Sequence, residues 1–270
     1  WSTIEQSSTY DNHNYGLLNG PSGGRISVHH NLFAHHLNRN PAIANGPAEV
    51  INNVVYNVRH GFVHHNPASG QFNIIGNYYK QGPNNQLIPF YFDDENGGAD
   101  KTLRYHLRDN YVDDPGDFVG TVENPWSQPA RHPSFRDLAL PAAYWSQAPF
   151  HFDQDNRSHV PVIIEDAQRA LHSVLQKAGA WPRDGVTRLS VQETRNRTGS
   201  WGARTPRDLM DGLAPLAAPV DTDGDGMPDI WEQAHGLDPR NSVDHNRVLP
   251  SGYTAIEEYL NDLAERLVRH

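Results

Sequence analysis

The chain has no cysteine, which excludes disulfide staples and thiolate chemistry and leaves packing and any bound metal to hold the fold. Its mean hydropathy is −0.70. No apolar run approaches the roughly eighteen residues a membrane-spanning helix needs. Basic residues are scarce: 22 Lys and Arg stand against 32 Asp and Glu, a net charge of −10. That balance argues against a nucleic-acid or anionic-membrane partner, and an acidic substrate would need a bridging cation. Trp1 is not a natural start and no signal segment precedes it, so the chain reads as a piece whose N-terminal portion was removed or never recorded. With 270 residues it is long enough for one full core plus an appendage.

What the chain has instead is asparagine in phase. Val28-His-His-Asn31-Leu-Phe, Val50-Ile-Asn-Asn53-Val-Val, Ile74-Ile-Gly-Asn77-Tyr-Tyr and Leu107-Arg-Asp-Asn110-Tyr-Val share one pattern. An apolar residue is followed by two variable positions, an asparagine and two bulky apolar or aromatic residues. The asparagines recur too closely for strand–helix–strand units and too regularly for a sandwich. They suit one turn each of a parallel β-helix, lengthened once by an insertion at about residues 88–104. In such a coil the carboxamide bonds the backbone at a tight bend, and stacked equivalents form a ladder that satisfies otherwise orphaned polar groups.

The pattern breaks near residue 121 into Pro- and Trp-rich coil, "NPWSQPARHPSF". Residues 164–178 read as an amphipathic helix with Ala167, Ala170, Leu171, Val174, Leu175 and Ala178 on one face and Gly179 as its stop. "LAPLAAPV", 213–220, is a linker. Thr254-Ala-Ile-Glu257 is a capping-box pattern opening a terminal helix whose stripe is Ile256, Leu260, Leu263 and Leu267. The reading is therefore all-β: a right-handed parallel β-helix over 1–120, an irregular and helical extension over 121–212, then linker, metal loop and terminal helix over 213–270.

"DTDGDGMPDIWE", 221–232, carries the most specific chemistry. Asp221, Asp223, Asp225, Gly226, Asp229 and Glu232 occupy positions 1, 3, 5, 6, 9 and 12 of an EF-hand-type loop, with the Met227 carbonyl at position 7. Hard oxygens at alternating positions converge on one Ca²⁺, Gly226 permits the turn, and Glu232 closes the shell. No helix leads in, because the linker occupies that place, so a single structural calcium loop is expected and not a sensor pair.

The second focus is "SVHHNLFAHHLNRNPAIANGPAEVINNVVYN", 27–57, with Arg39 among imidazoles and carboxamides. His29, His30, His35, His36, His60, His64 and His65 alternate in direction along strands, so they cannot all meet, and no spacing specifies three convergent metal ligands. One subset lines a groove and another stacks inside the coils.

"HHNLFAHHLNRNP…G…EVINNVVYN" resembles the core of the pectate lyases of polysaccharide lyase family 1. "WSTIEQS…HNYGLLNG" and "DTDGDGMPDIWEQAHGLDP…GYTAIEEYLN" are similar to bacterial members with a calcium-loop tail. The likeness covers residues 1–120 and 160–265. It implies a right-handed parallel β-helix and eliminative cleavage of polygalacturonate (pectin), in which a base removes the C5 proton and C4 expels the glycosidic oxygen. It further implies Ca²⁺ neutralising the uronate carboxylate, a secreted or periplasmic location and a monomer. The family's base is an arginine two residues before a proline, matched here by Arg39-Asn40-Pro41. A guanidinium holds its proton beyond pH ~12, so nearby calcium and alkaline conditions would have to disfavour the cation. His13, Asn14, His36, Asn40 and His64 are the implied substrate-binding positions.

The chain also departs from the family. Ala42 stands where close relatives would read arginine, Asn14 roughly where many have lysine, and His64 roughly where another arginine binds substrate. The family's primary calcium ligands lie before the position matching Trp1, and Glu5, Asp11 and Glu49 make no recognisable calcium motif. Two rivals follow: a non-catalytic β-helical polysaccharide-binding protein or inactive fragment, and a polygalacturonase-type hydrolase using Asp93, Asp94, Glu95 and Asp100.

Overall fold

Each turn of the chain from Thr3 to Asp114 lays down short strands that join three separate sheets. In the first sheet Thr3–Glu5, Leu32–Ala34, Val54–Tyr56, Tyr78–Lys80 and Asn110–Asp114 run parallel, and Phe118–Val122 closes it antiparallel. Leu18–Asn19, Ala42–Asn45, His60–Ser69 and Ile88–Tyr91 form the second, and Ile26–His29, Ala48–Ile51, Gln71–Ile75 and Arg104–Arg108 the third, both parallel. Neighbouring strands in each sheet come from successive turns, so the chain coils. The computed structural model describes residues 1–7, 13–84, 86–92, 100–127, 142–152, 162–201, 210 and 212–268. Much of the proposed insertion and of the Pro-rich stretch, including Asp11, Asp93, Asp94 and Glu95, lies outside them.

The asparagine repeat forms the expected ladder. Asn53 Nδ2 donates to Asn77 Oδ1 at 3.0 Å and to the Val28 carbonyl at 2.8 Å, and its Oδ1 accepts from the Asn31 main chain at 3.0 Å. Asn77 repeats this with Asn110 and Val50, and Asn110 donates to Ile74. The residue before each ladder position (His30, Asn52, Gly76, Asp109) has φ between +52° and +63°. The bend is thus left-handed at every turn. At Gly76 the turn also needs glycine for space, since a Cβ would strike Asn52 Nδ2 and come within 2.8 Å of the Glu165 carbonyl.

Inside the coil, like residues stack between turns: Ile4, Phe33, Val55, Tyr79 and Val112 are in register in the first sheet, and Val28, Val50, Ile74 and Leu107 in the third. They belong to one apolar core with Phe62, Phe72, Phe90 and Tyr105. The outer face of the first sheet (Leu32, Ala34, Val54, Tyr56, Tyr78) is buried as well, beneath helices α1 (Ala167–Lys177) and α2 (Gly185–Asn196). Burial on both faces explains why these strands read as continuous apolar runs rather than alternating ones.

Helix α1 buries the expected Ala167, Ala170, Val174 and Leu175 but starts later than the sequence reading, because the Asp166 side chain caps it by accepting from Arg169 N–H at 2.9 Å. Helix α2 was not anticipated. It is held by polar bonds: Thr187 to Glu5, and Glu193 to the buried His35 at 2.9 Å. Beyond α2, Arg197 pairs with Asp113 and donates to the Gln81 carbonyl at 2.8 Å, and the Tyr56 hydroxyl donates to the Thr198 carbonyl.

The chain divides into two compact units, 1–179 with 185–207, and 180–184 with 208–270. The second contains the acidic loop, α3 (Asp229–Ala234) and α4 (Ala255–Val268) around a small core of Met227, Trp231, Leu237 and Ala255. The expected leucine stripe of the terminal helix is corrected: Leu260 is 55% and Leu267 40% exposed. The face that packs is Ala255, Ile256 and Tyr259, because Trp231 lies there and its indole N–H donates to Asp262 at 3.0 Å. No helix among the described residues is long and apolar enough to cross a membrane.

Candidate catalytic face and metal centre

Arg39 lies at a turn leading into the second sheet, between two neighbouring turns of the coil. Its carbonyl accepts from Leu17 N–H at 2.9 Å, and the next residue's N–H donates to the Gly61 carbonyl at 2.9 Å. Its φ is +61°, and its own N–H is taken by Asn38 Oδ1 at 2.7 Å. Asn38 thereby supports the left-handed turn that throws the arginine side chain outward. Gly16 on the adjoining turn is required for close approach: a Cβ there would strike Asn40 Oδ1 and lie 3.0 Å from the Arg39 carbonyl.

The half-buried Arg39 guanidinium sits 4.1 Å over the centre of the Tyr15 ring, and exposed His13 packs edge-on to Tyr15 at 5.0 Å. His65 reaches the same neighbourhood: burial lowers its pKa, and the Arg39 charge lowers it further. Asn14 is half-buried and its carbonyl accepts from Leu37 N–H at 2.8 Å. On the following turns His60 stacks on Tyr91 at 4.5 Å. The face is thus one arginine amid imidazoles and phenol rings, contributed by successive turns.

Three implied substrate-binding residues do not belong to it. His36 is 1% exposed; Nε2–H donates to the Ile4 carbonyl at 2.8 Å and Nδ1 accepts from Ser7. Asn40 is fully buried and donates to the His60 carbonyl at 2.8 Å. His64 is 2% exposed and its Nδ1 pairs with the Tyr105 hydroxyl at 2.6 Å. Each is turned inward by the strand or turn that carries it, so its role is internal bonding. The sequence reading missed Tyr15 and Tyr91; the signal was their stacking register on Arg39 and His60, invisible without the fold.

In the second unit the loop side chains divide their oxygens. Asp223 Oδ1 accepts from Asp225 N–H and Asp225 Oδ1 from Met227 N–H, while the other oxygen of each is buried without a hydrogen-bond partner. Asp221 receives the Gly224 and Gly226 N–H groups at 2.8 and 3.0 Å. Glu232 is 0% exposed with both carboxylate oxygens partnerless. Burial pushes its pKa up to about 7, helped by Asp225, Asp223, Asp244 and Asp229. Two groups have ligand atoms within 4.8 Å of one another: Asp221, Asp223 and Asp225, and Asp225, Glu232 and Asp244. Buried, partnerless carboxylates gathered in this way fit a hard cation. Asp229 joins neither group: both its oxygens accept from Thr222, at 2.7 Å from the main chain and 2.6 Å from the hydroxyl. Met227 has a fully buried side chain. Among the described residues no such acidic group lies at Arg39.

A coil of parallel sheets bearing an arginine-centred outer face, with an acidic loop in a second unit, is the class of protein this chain represents. No family model matches the chain. It is similar to the probable pectate lyase C of Aspergillus fumigatus, 27% identical over 265 residues, covering 94% of this chain and 56% of that protein. Its counterpart in Aspergillus flavus is 28% identical over 260 residues, covering 94% of this chain and 57% of that one. The chain is thus similar to proteins named probable pectate lyases and spans about 56% of the length of the first of them. A solved pectate lyase, Bsp165PelA from Bacillus sp. N165 in complex with trigalacturonate, aligns at a TM-score of 0.38 and 17% identity over 58% of this chain and 40% of that one. That is too slight a likeness to carry weight.

Proposed function

We propose that the chain is part of an exported pectate lyase, folded as a right-handed parallel β-helix, that cleaves polygalacturonate by β-elimination with Arg39 as the base. The observation that carries this is the similarity to the probable pectate lyases across 94% of the chain, with Arg39-Asn40-Pro41 on an outward turn. Calcium, when bound to protein and uronate, would offset the carboxylate charge. The described residues at Arg39 do not make a site for it, so no step is routed through it.

In the step assigned to this chain, Arg39 as neutral guanidine takes the C5 proton. The C5–H electrons form the C4–C5 double bond, and the glycosidic oxygen leaves C4 and is protonated by water. Tyr15 beneath the guanidinium fixes its plane, which limits the orientations Arg39 must lose on reaching C5. His65, its pKa lowered by burial and by Arg39, stays neutral at neutral and alkaline pH. It therefore offers hydrogen bonds without adding charge. His13 and Asn14 are the remaining substrate-contact candidates.

The loop in the second unit holds a structural Ca²⁺. The test of the activity is ultraviolet absorbance from unsaturated uronate, measured on polygalacturonate with calcium at alkaline pH, for the chain and for Arg39→Ala. A rise lost in the variant supports the assignment. A rise kept in the variant refutes the base. Products without the unsaturated chromophore would point to hydrolysis, and binding without turnover to a carbohydrate-binding scaffold.

A further inference from the structure

We propose that the second unit binds one Ca²⁺ with Asp244, from outside the twelve-residue loop, taking the place that the loop spacing gives to Asp229. The inference rests on the structural-calcium reading and changes which residues hold the ion.

Asp229 falls in neither group of converging ligand atoms, and both of its oxygens accept from Thr222. There it lies in the first turn of α3, where a carboxylate is also favoured by the helix dipole. Asp244 opens a short 3₁₀ turn, Asp244–Asn246. Its Oδ2 accepts from Asp238 N–H at 2.9 Å, Oδ1 is buried with no hydrogen-bond partner, and a carboxylate oxygen of Asp244 falls within 4.8 Å of ligand oxygens of Asp225 and Glu232. This is the same division of labour as in Asp223 and Asp225: one oxygen orders the backbone and the other points inward. The partnerless oxygens are one each from Asp223, Asp225 and Asp244 and two from Glu232. With the Met227 carbonyl and an oxygen of Asp221, which keeps its main-chain bonds but lies within 4.8 Å of Asp223 and Asp225 ligand atoms, they make a shell of about seven, within the calcium range of 6–8.

A second loop in the same unit argues for a single ion. Gly226 and Gly252 have φ of +98° and +90°, and α3 and α4 begin at Asp229 and Ala255, so both pairs are offset equally along the chain. The positions corresponding to Asp221, Asp223 and Asp225 are Arg247, Leu249 and Ser251. Arg247 Nη1 donates to the Gly236 carbonyl at 3.1 Å, and Leu249 and Tyr253 bond through their main chains. The second loop keeps the shape with no carboxylate at those positions. Its upstream neighbour Asp244 serves the first loop instead.

The experiment is calorimetric titration of the full chain with calcium chloride, for the wild type, Asp229→Asn and Asp244→Asn. One ion per chain is expected. Asp244→Asn should weaken binding on the order of 100-fold and Asp229→Asn by no more than about threefold, given how strongly ligand charge sets calcium affinity. In chelator, Asp244→Asn should melt above the wild type, because one charge has left a repelling cluster. A misfolded variant would melt below it and count against the assignment. Wild-type-like affinity in Asp244→Asn, an equal or larger loss in Asp229→Asn, or two ions per chain would overturn the proposal while leaving calcium binding intact. No binding by the wild type would instead remove the structural-calcium reading beneath it.

Discussion

Acidification should unfold the first unit in a way traceable to His36. Burial lowers the pKa of this imidazole to about 4, against the opposing bond from Nε2–H to the Ile4 carbonyl and with a small contribution from His35. In the unfolded chain the same group titrates near 6.5. The folded state therefore favours the neutral ring, and the stability it contributes is complete above about pH 6.5. It is lost as pH falls toward 4, because the unfolded chain takes the proton first. A fall from 6.5 to about 4, at about 1.4 kcal/mol per unit, comes to about 3 kcal/mol. Protonation at Nδ1 would set a donor against the Ser7 N–H that now donates to it at 3.2 Å. The perturbation is His36→Gln, which keeps a donor and an acceptor but cannot titrate. Urea unfolding, followed by tryptophan fluorescence at a series of pH values from about 7 to 4, should show a total loss of stability over that range smaller than that of the wild type by about that amount. Equal pH dependence in the two proteins would refute the reasoning.

Asn53→Ala removes all the side-chain bonds of its ladder position and strands the part-buried Asn31 N–H, so it should cost about 2–3 kcal/mol. The same change at the less buried Asn31 should cost about 1 kcal/mol in the same unfolding assay. Arg39→Ala should abolish turnover while moving stability by no more than about 1 kcal/mol, since only its stacking on Tyr15 is lost from the packing. Chelation should lower the melting temperature of the second unit. If calcium stands at about 100 times its Kd, the loss is about 2.7 kcal/mol, and unchanged melting after verified ion removal would exclude a structural ion.

The ladder was legible because a coil imposes the same demand at each turn: one bend, one set of main-chain groups to satisfy, one carboxamide to do it. The strands of the first sheet were legible for a related reason, since burial on both faces writes itself as Leu-Phe-Ala and Val-Val-Tyr. Helix α2 left no such trace. Its buried residues include Thr187, Ser190, Glu193 and Thr194: Thr187 and Glu193 find Glu5 and His35, far away in sequence, and the Thr194 hydroxyl donates back to the Ser190 carbonyl. A hydrophobic period cannot register a helix held by hydroxyls and a buried carboxylate. In α4 the apolar stripe was present, but the Trp231 ring selects Ala255, Ile256 and Tyr259 and leaves Leu260 in water. The acidic loop was readable as a spacing, yet the spacing could not see that Thr222 occupies Asp229 or that Asp244 returns to the cluster. Around Arg39 the sequence marked a turn rich in imidazoles and carboxamides. It could not tell outward from inward imidazoles, which depends on strand direction at each position.

The stacking of turns makes the coil a ruler. Residues contributed to one face by consecutive turns stand about 4.8 Å apart, the spacing of neighbouring strands. A long polymer lying along the coil axis would meet Tyr15, Arg39 and His60 as successive graduations on one scale. Sequence edits then fall into two kinds. Adding or removing a whole turn slides the scale by one mark and leaves the asparagine column unbroken. An edit of one residue within a strand turns that strand's inside side chains out, whereas the loops absorb edits such as those that make the successive asparagine intervals unequal, leaving the column intact.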